Sequence, residues 1–175
     1  GTADALLRAG RMRRALVIGA ETMSRILDWD DRASCVLFGD GAGAVVLESD
    51  DTVALEQRGI IDLLMNADGT LIDMLHTTGG PSTTQTVGHL YMAGREVFRH
   101  AVEKLAAVMD EALDAAGLRA ADIDWLVPHQ ANVRIIDAMQ KKMDLPNDRV
   151  VRTVEQHANT SAASIPLALA SAVGD

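Results

Sequence analysis

At 175 residues, 48% of them hydrophobic and only 3% aromatic, the chain has the length of one domain or of part of a larger one, and its core must be built from Ala, Leu, Val, Ile and Met. The formal net charge of −9 argues against nucleic acid as a general partner, so any acidic partner must meet a local basic patch. The single cysteine, Cys35, excludes an internal disulfide, and no apolar stretch approaches the ~20 residues of a membrane span. Gly1-Thr2-Ala3-Asp4 lacks the charge-then-apolar layout of a signal peptide, so a cytoplasmic protein with no nucleic-acid and no membrane partner is expected.

Strand-like and helix-like patterns alternate, the order expected of a layered α/β protein. Thr2 to Ala9 reads as a helix stopped by Gly10, and Ala15-Leu16-Val17-Ile18-Gly19 as a strand buried on both faces. Ser34–Phe38 and Ala44–Leu47 are short apolar runs joined by Gly39-Asp40-Gly41-Ala42-Gly43, which suggests a hairpin with a glycine turn. No Lys-Ser or Lys-Thr follows those glycines, so the turn is not a phosphate loop. Gly59–Met65 starts another strand, and Asn66–Gly88 reads as a loop. Apolar residues recurring at three and four predict a helix over 96–116, stopped by Gly117. Trp125–Pro128 reads as a strand, Val133, Ile136, Met139 and Met143 mark a second amphipathic helix ended by Leu145-Pro146, and a third helix begins near Ser161–Ser164.

The chemistry concentrates at two strand exits. His129-Gln130-Ala131-Asn132 follows Trp125–Pro128, and His157-Ala158-Asn159-Thr160-Ser161 follows the apolar run Val150–Val154. If those strands are neighbours, His129 and Asn159 converge on one ligand oxygen, the arrangement that polarises a carbonyl. The five histidines show no paired ligand spacing and one cysteine cannot build a zinc site, so no metal is expected.

Four blocks in order, Phe38-Gly39-Asp40-Gly41-Ala42-Gly43-Ala44, Met92-Ala93-Gly94-Arg95-Glu96-Val97-Phe98, Val127-Pro128-His129-Gln130-Ala131-Asn132 and Asn159-Thr160-Ser161-Ala162-Ala163-Ser164-Ile165-Pro166, resemble successive motifs of beta-ketoacyl-[acyl-carrier-protein] synthase III. The resemblance covers essentially the whole chain. It implies an α/β protein of the thiolase fold, a layered α-β-α-β-α arrangement of two similar halves, and a homodimer. The chain then reads as partial: residues 1–52 the end of the first half, 53–175 most of the second. Family members are roughly twice as long. Their nucleophilic cysteine precedes the segment matching Gly1-Thr2-Ala3-Asp4, and a final glycine-rich hairpin follows the segment matching Asp175, so this stretch alone is expected to be inactive.

The resemblance also implies roles. His129 and Asn159 match the catalytic pair that stabilises the enolate formed when malonyl thioester loses carbon dioxide. Arg32 matches an arginine that stacks on the adenine of coenzyme A. Gly94, Phe98, Ala131 and Asn132 correspond to the pantetheine tunnel, and Leu90 and Met92 to walls of the acyl pocket. Arg95 replaces a smaller polar residue, and Ala158 replaces the usual glycine before the catalytic asparagine, a departure that matters only if the backbone there needs positive φ. Arg134, Lys141 and Lys142 lie seven or eight apart on one helix face, and with Arg99 they form a candidate dock for the acidic acyl carrier protein. Cys35, in an apolar run, reads as a packed strand residue rather than a substitute nucleophile, and His157 as a loop residue.

The expected reaction is decarboxylative Claisen condensation of acetyl-coenzyme A, or another short acyl-coenzyme A, with malonyl-[acyl-carrier-protein] at the start of fatty-acid synthesis. It needs no permanently bound cofactor, the coenzyme A thioester being substrate. The alternatives are a related condensing or acyl-transfer enzyme of secondary metabolism, and an inactive fragment.

Overall fold

The computed structural model describes residues 1–52 and 58–174. The expected division between 52 and 53 adjoins residues 53–57, which, like Asp175, lie outside the described residues. Helix α1 (Thr2–Arg8) leads into strand β1 (Arg14–Glu21), which pairs antiparallel with β2 (Gly41–Glu48) from Arg14↔Glu48 to Glu21↔Gly41. Ala44–Leu47 is thus a strand, but its partner is β1 and not Ser34–Phe38. Residues 32–37 instead form successive turns. The Asp31 carboxylate accepts the Ser34 hydroxyl at 2.6 Å and the Ala33 N–H at 3.0 Å, local bonds that compete with a strand ladder. Cys35 therefore lies in a half-buried turn.

The inner face of the hairpin is unusually close to the chain that covers it. Gly19 pairs with Gly43, and a Cβ on Gly43 would stand 2.7 Å from Pro166 Cβ, so helix α5 (Ser164–Gly174) and the 3-10 turn Ser161–Ala163 can pack directly on the strands. The outer face contradicts the expectation of a strand buried on both sides. Leu16, Ile18 and Val46 are 62%, 63% and 67% exposed, because no element among the described residues covers that side. Gly59–Met65 is irregular, since no strand among the described residues pairs with it. The expected loop 66–88 holds a 3-10 turn (Gly69–Met74), and β3 (Leu75–Thr77) pairs with β4 (Leu90–Met92).

Helix α2 (Gly94–Ala116) ends at Gly117 in a left-handed cap. Helix α3 (Val133–Met143) starts where the Asn132 side chain accepts the Ile135 N–H, and stops at Asp144. Its buried face is Ile135, Ile136, Met139 and Met143, with Val133 turned outward. Ile136, Met143, Leu145 and Val150 form a core against Met109 and Leu113 of α2. Each such side chain contributes about 1.5–3 kcal/mol by leaving water. Trp125–Pro128 and the run from Val150 meet through one parallel bridge, Leu126↔Val150, and the second run ends early because Val154–His157 turns into the short helix α4.

Candidate active site

The parallel contact between Leu126 and Val150 brings two chain exits side by side, and a buried glutamine fastens them. Gln130 is 0% exposed. Its Nε2 donates to the Pro128 and Val151 carbonyls at 2.9 and 3.2 Å, while its Oε1 accepts the Thr153 and Val154 N–H groups at 2.8 and 3.2 Å. All four amide positions are used, which fixes the path of both exits. Asn159 is held differently from the sequence expectation: it follows α4, and its backbone clasps residues 37–39. Its N–H donates to Leu37 O at 2.9 Å and its carbonyl accepts the Gly39 N–H at 3.0 Å. A Cβ on Gly39 would stand 2.8 Å from the His157 carbonyl, so this clasp depends on glycine.

The two exits open on one cleft of about 540 Å³. His129 and Asn159 both line it, with Gly94, Phe98, Ala131 and Asn132 and the wall residue Met92. Most of its surface is apolar, so the few polar groups stand out against it. The Ser161 N–H, which can only donate, meets Asn159 Oδ1 at 3.0 Å, leaving the Asn159 NH₂ as the free end. His129 Nδ1 lies 2.6 Å from the buried Ser164 hydroxyl, so its Nε2 edge is the one left for the cleft. Burial pushes the His129 imidazolium towards deprotonation, below its ordinary range. The cleft therefore contains a neutral imidazole and a primary amide, a pair suited to stabilising negative charge on a small oxygen.

The other residues singled out from sequence fall in several places. Arg134 lines the cleft with its guanidinium over the Phe98 ring, 5.0 Å from the centroid. Asn132 uses its oxygen to cap α3, accepting the Ile135 N–H, which leaves its NH₂ as the unengaged end. Leu90 does not line the cleft: two positions before Met92 along β4, its N–H donates to the Ile26 carbonyl. Arg32 is exposed next to the lining residue Ala33. Lys142 pairs with Asp110 at 3.4 Å, Arg99 donates to His100 Nε2 at 3.1 Å, and Lys141 is exposed. Cys35 is not among the lining residues.

Ala158 is the main correction. Its φ of 58° and ψ of −165° lie in a region that is open to glycine and strained for any other residue, so the methyl is not a mild departure for the backbone. Sequence reasoning also passed over Gln130 and Ser164. Both stand inside the family-like motifs, but apart from Pro128 their partners lie 21 to 35 positions away, and no local spacing reveals that.

Residues 1–69 match the family 3-oxoacyl-[acyl-carrier-protein] synthase III, and residues 113–175 match the C-terminal part of that enzyme. The chain is 65% identical over 173 residues to beta-ketoacyl-[acyl-carrier-protein] synthase III of Sphingopyxis alaskensis, covering 99% of this chain and 53% of that protein. The crystal structure of the Thermus thermophilus synthase III superposes with a TM-score of 0.88 at 45% identity, over 99% of this chain and 54% of that one. A priming beta-ketosynthase of a polyketide pathway gives 0.87 at 38% identity, over 98% and 52%. The chain spans about half the length of the curated relatives it matches. It has the α/β thiolase fold and belongs to the beta-ketoacyl-[acyl-carrier-protein] synthase III family.

Proposed function

We propose that this chain supplies the enolate-stabilising donors of an acyltransferase that condenses acetyl-coenzyme A, or another short acyl-coenzyme A, with malonyl-[acyl-carrier-protein] to initiate fatty-acid synthesis. The observation that carries this reading is the cleft lined by both His129 and Asn159, each with one polar atom engaged from behind and the other left free. As the malonyl thioester releases carbon dioxide, the electrons of the broken C–C bond become an enolate. His129 Nε2–H and the Asn159 amide donate to its oxygen, and its carbon then attacks the acyl thioester, expelling the thiolate that carried the acyl group. In the family resemblance that thiolate belongs to a cysteine preceding the segment that matches Gly1-Thr2-Ala3-Asp4, and not to Cys35, which does not line the cleft.

Around that centre, Gly94, Phe98, Ala131 and Asn132 would admit the pantetheine arm, Met92 would bound the acyl group, and Arg32 would stack on adenine. Arg134, Lys141, Lys142 and Arg99 would attract the acidic carrier protein in a chain otherwise dominated by negative charge. The reading includes a homodimer in the cytoplasm, with no permanent cofactor. Among the described residues no helix is long and apolar enough to cross a membrane.

The test is release of labelled carbon dioxide from malonyl-[acyl-carrier-protein], a step that needs the donors and not the nucleophile. His129→Ala and Asn159→Ala should each lower the rate by on the order of 10²-fold. A rate indifferent to both substitutions, or stable acylation of Cys35 by acetyl-coenzyme A, would overturn the reading. The likeness to a polyketide priming ketosynthase supports a second reading, a condensing enzyme of secondary metabolism. A panel of starter thioesters separates the two, acetyl preference favouring fatty-acid synthesis.

A further inference from the structure

Ser164 opens α5 at 1% exposure, and among the described residues its hydroxyl is the hydrogen-bond partner of the His129 ring. The 2.6 Å contact between Oγ and Nδ1 is compatible with two hydrogen arrangements. Either the hydroxyl donates to a bare Nδ1, or an Nδ1–H donates to the hydroxyl. The neighbouring backbone decides between them. The Gln130 N–H also reaches Ser164 Oγ, at 3.3 Å, and an N–H can only donate, so that bond consumes a lone pair and leaves the hydroxyl proton unassigned.

Among the described residues Nδ1 is the acceptor within hydrogen-bond distance of that proton, and burial keeps water away. If Nδ1 carried the hydrogen, Oγ would receive two N–H donors while its own proton had no acceptor, leaving a buried donor unsatisfied. The cleft edge of the ring would then be a bare nitrogen lone pair, which repels a negatively charged oxygen. With the hydroxyl donating, every one of these groups is satisfied.

We infer that Ser164 is a positioning residue: its hydroxyl donates to His129 Nδ1, holds the ring in the Nε2–H tautomer, and so makes the cleft edge of the imidazole a hydrogen-bond donor. The lowered proton affinity of the buried ring favours the neutral form in which a tautomer choice exists. The catalytic meaning of the assignment rests on the condensation reading, whereas the tautomer itself does not.

The experiment is a long-range ¹H–¹⁵N correlation spectrum of the chain labelled with ¹⁵N-histidine, at slightly alkaline pH, with His129 assigned by the signals lost in His129→Gln. The expected pattern is a pyridine-like Nδ1 and a pyrrole-like Nε2, and Ser164→Ala should draw the two nitrogen shifts towards each other as the tautomers mix. A pyrrole-like Nδ1 in the unsubstituted chain overturns the inference whatever Ser164→Ala does to folding, and so does a Ser164→Ala spectrum with unchanged His129 shifts. Because the ring nitrogens are read directly, the result stands apart from whether the chain condenses anything.

Discussion

Between Pro128 and Ser164 the molecule buries the polar side chains of Gln130 and Ser164 and hydrogen-bonds both, whereas on the outer face of β1 and β2 it exposes apolar side chains that no element among the described residues covers. Gln130 and Ser164 belong to the first region, at 0% and 1% exposure, and Leu16, Ile18 and Val46 to the second. A buried amide is stable only when its donors and acceptors are all met, so Gln130 and the chain it bonds have essentially one arrangement available. A contiguous exposed apolar face lacks any such constraint, and faces of that kind mark contact surfaces. The hydrogen bonds that hold His129 and Asn159 thus come from neighbouring residues of the site, while the hairpin presents a surface suited to being covered.

The sharpest way to break this contrast is to remove the polar hub. Gln130→Leu keeps the volume roughly but strips partners from two carbonyls and two N–H groups in a dry interior. At about 1–3 kcal/mol for each group left unsatisfied, the loss should be several kcal/mol. Urea unfolding should show a strongly lowered midpoint or no cooperative transition. A midpoint near that of the unsubstituted chain would mean that the exits are held by something other than the glutamine.

A smaller effect of opposite sign is expected one residue before Asn159. Ala158 holds a glycine-type backbone conformation at a cost of about 1–3 kcal/mol. Ala158→Gly removes that strain, and the greater freedom of glycine in the unfolded chain takes back about 0.4–1 kcal/mol. The net should be a gain of about 1 kcal/mol in urea unfolding, with Asn159 still clasped by Leu37 and Gly39. A loss of stability would show that the methyl packs usefully enough to outweigh its backbone.

Protonation probes the same region more gently. Because burial lowers the His129 pKa, the unfolded chain binds the proton more readily than the folded one. The contribution of this residue is therefore fully present above the ordinary histidine value of about 6.5, and is lost as pH falls from there towards the lowered folded value. Thermal midpoints taken across that range should decline on acidification, and His129→Gln should flatten the decline. An identical slope in both proteins would remove His129 as its source.

Local signals in the sequence reached the long helices and the pair of cleft donors, because those depend on three-and-four periodicity and on residue types beside short apolar runs. Helix α2 and helix α3 follow that periodicity closely. Segment 34–38 misled because its apolar composition resembles a strand while one carboxylate, Asp31, bends it through side-chain bonds. β3 and β4 are three-residue strands, too short for alternation to register. Gln130 and Ser164 escaped because each acts on chain brought beside it by the fold.

The least costly substitution tests the exposed side of the contrast. Ile18→Lys places a charge on the outer face of β1, where the native side chain is 63% exposed. A surface exchange of this kind shifts stability by no more than about 0.5 kcal/mol. The added charge should reduce self-association in sedimentation velocity without altering the unfolding midpoint, since an exposed apolar side chain gains little from folding and offers a site for sticking. Should the unfolding free energy instead fall by the roughly 2–5 kcal/mol typical of a core position, Ile18 must be buried in solution. The hairpin would then be covered by a second copy of the chain, and its outer face would belong with the buried region.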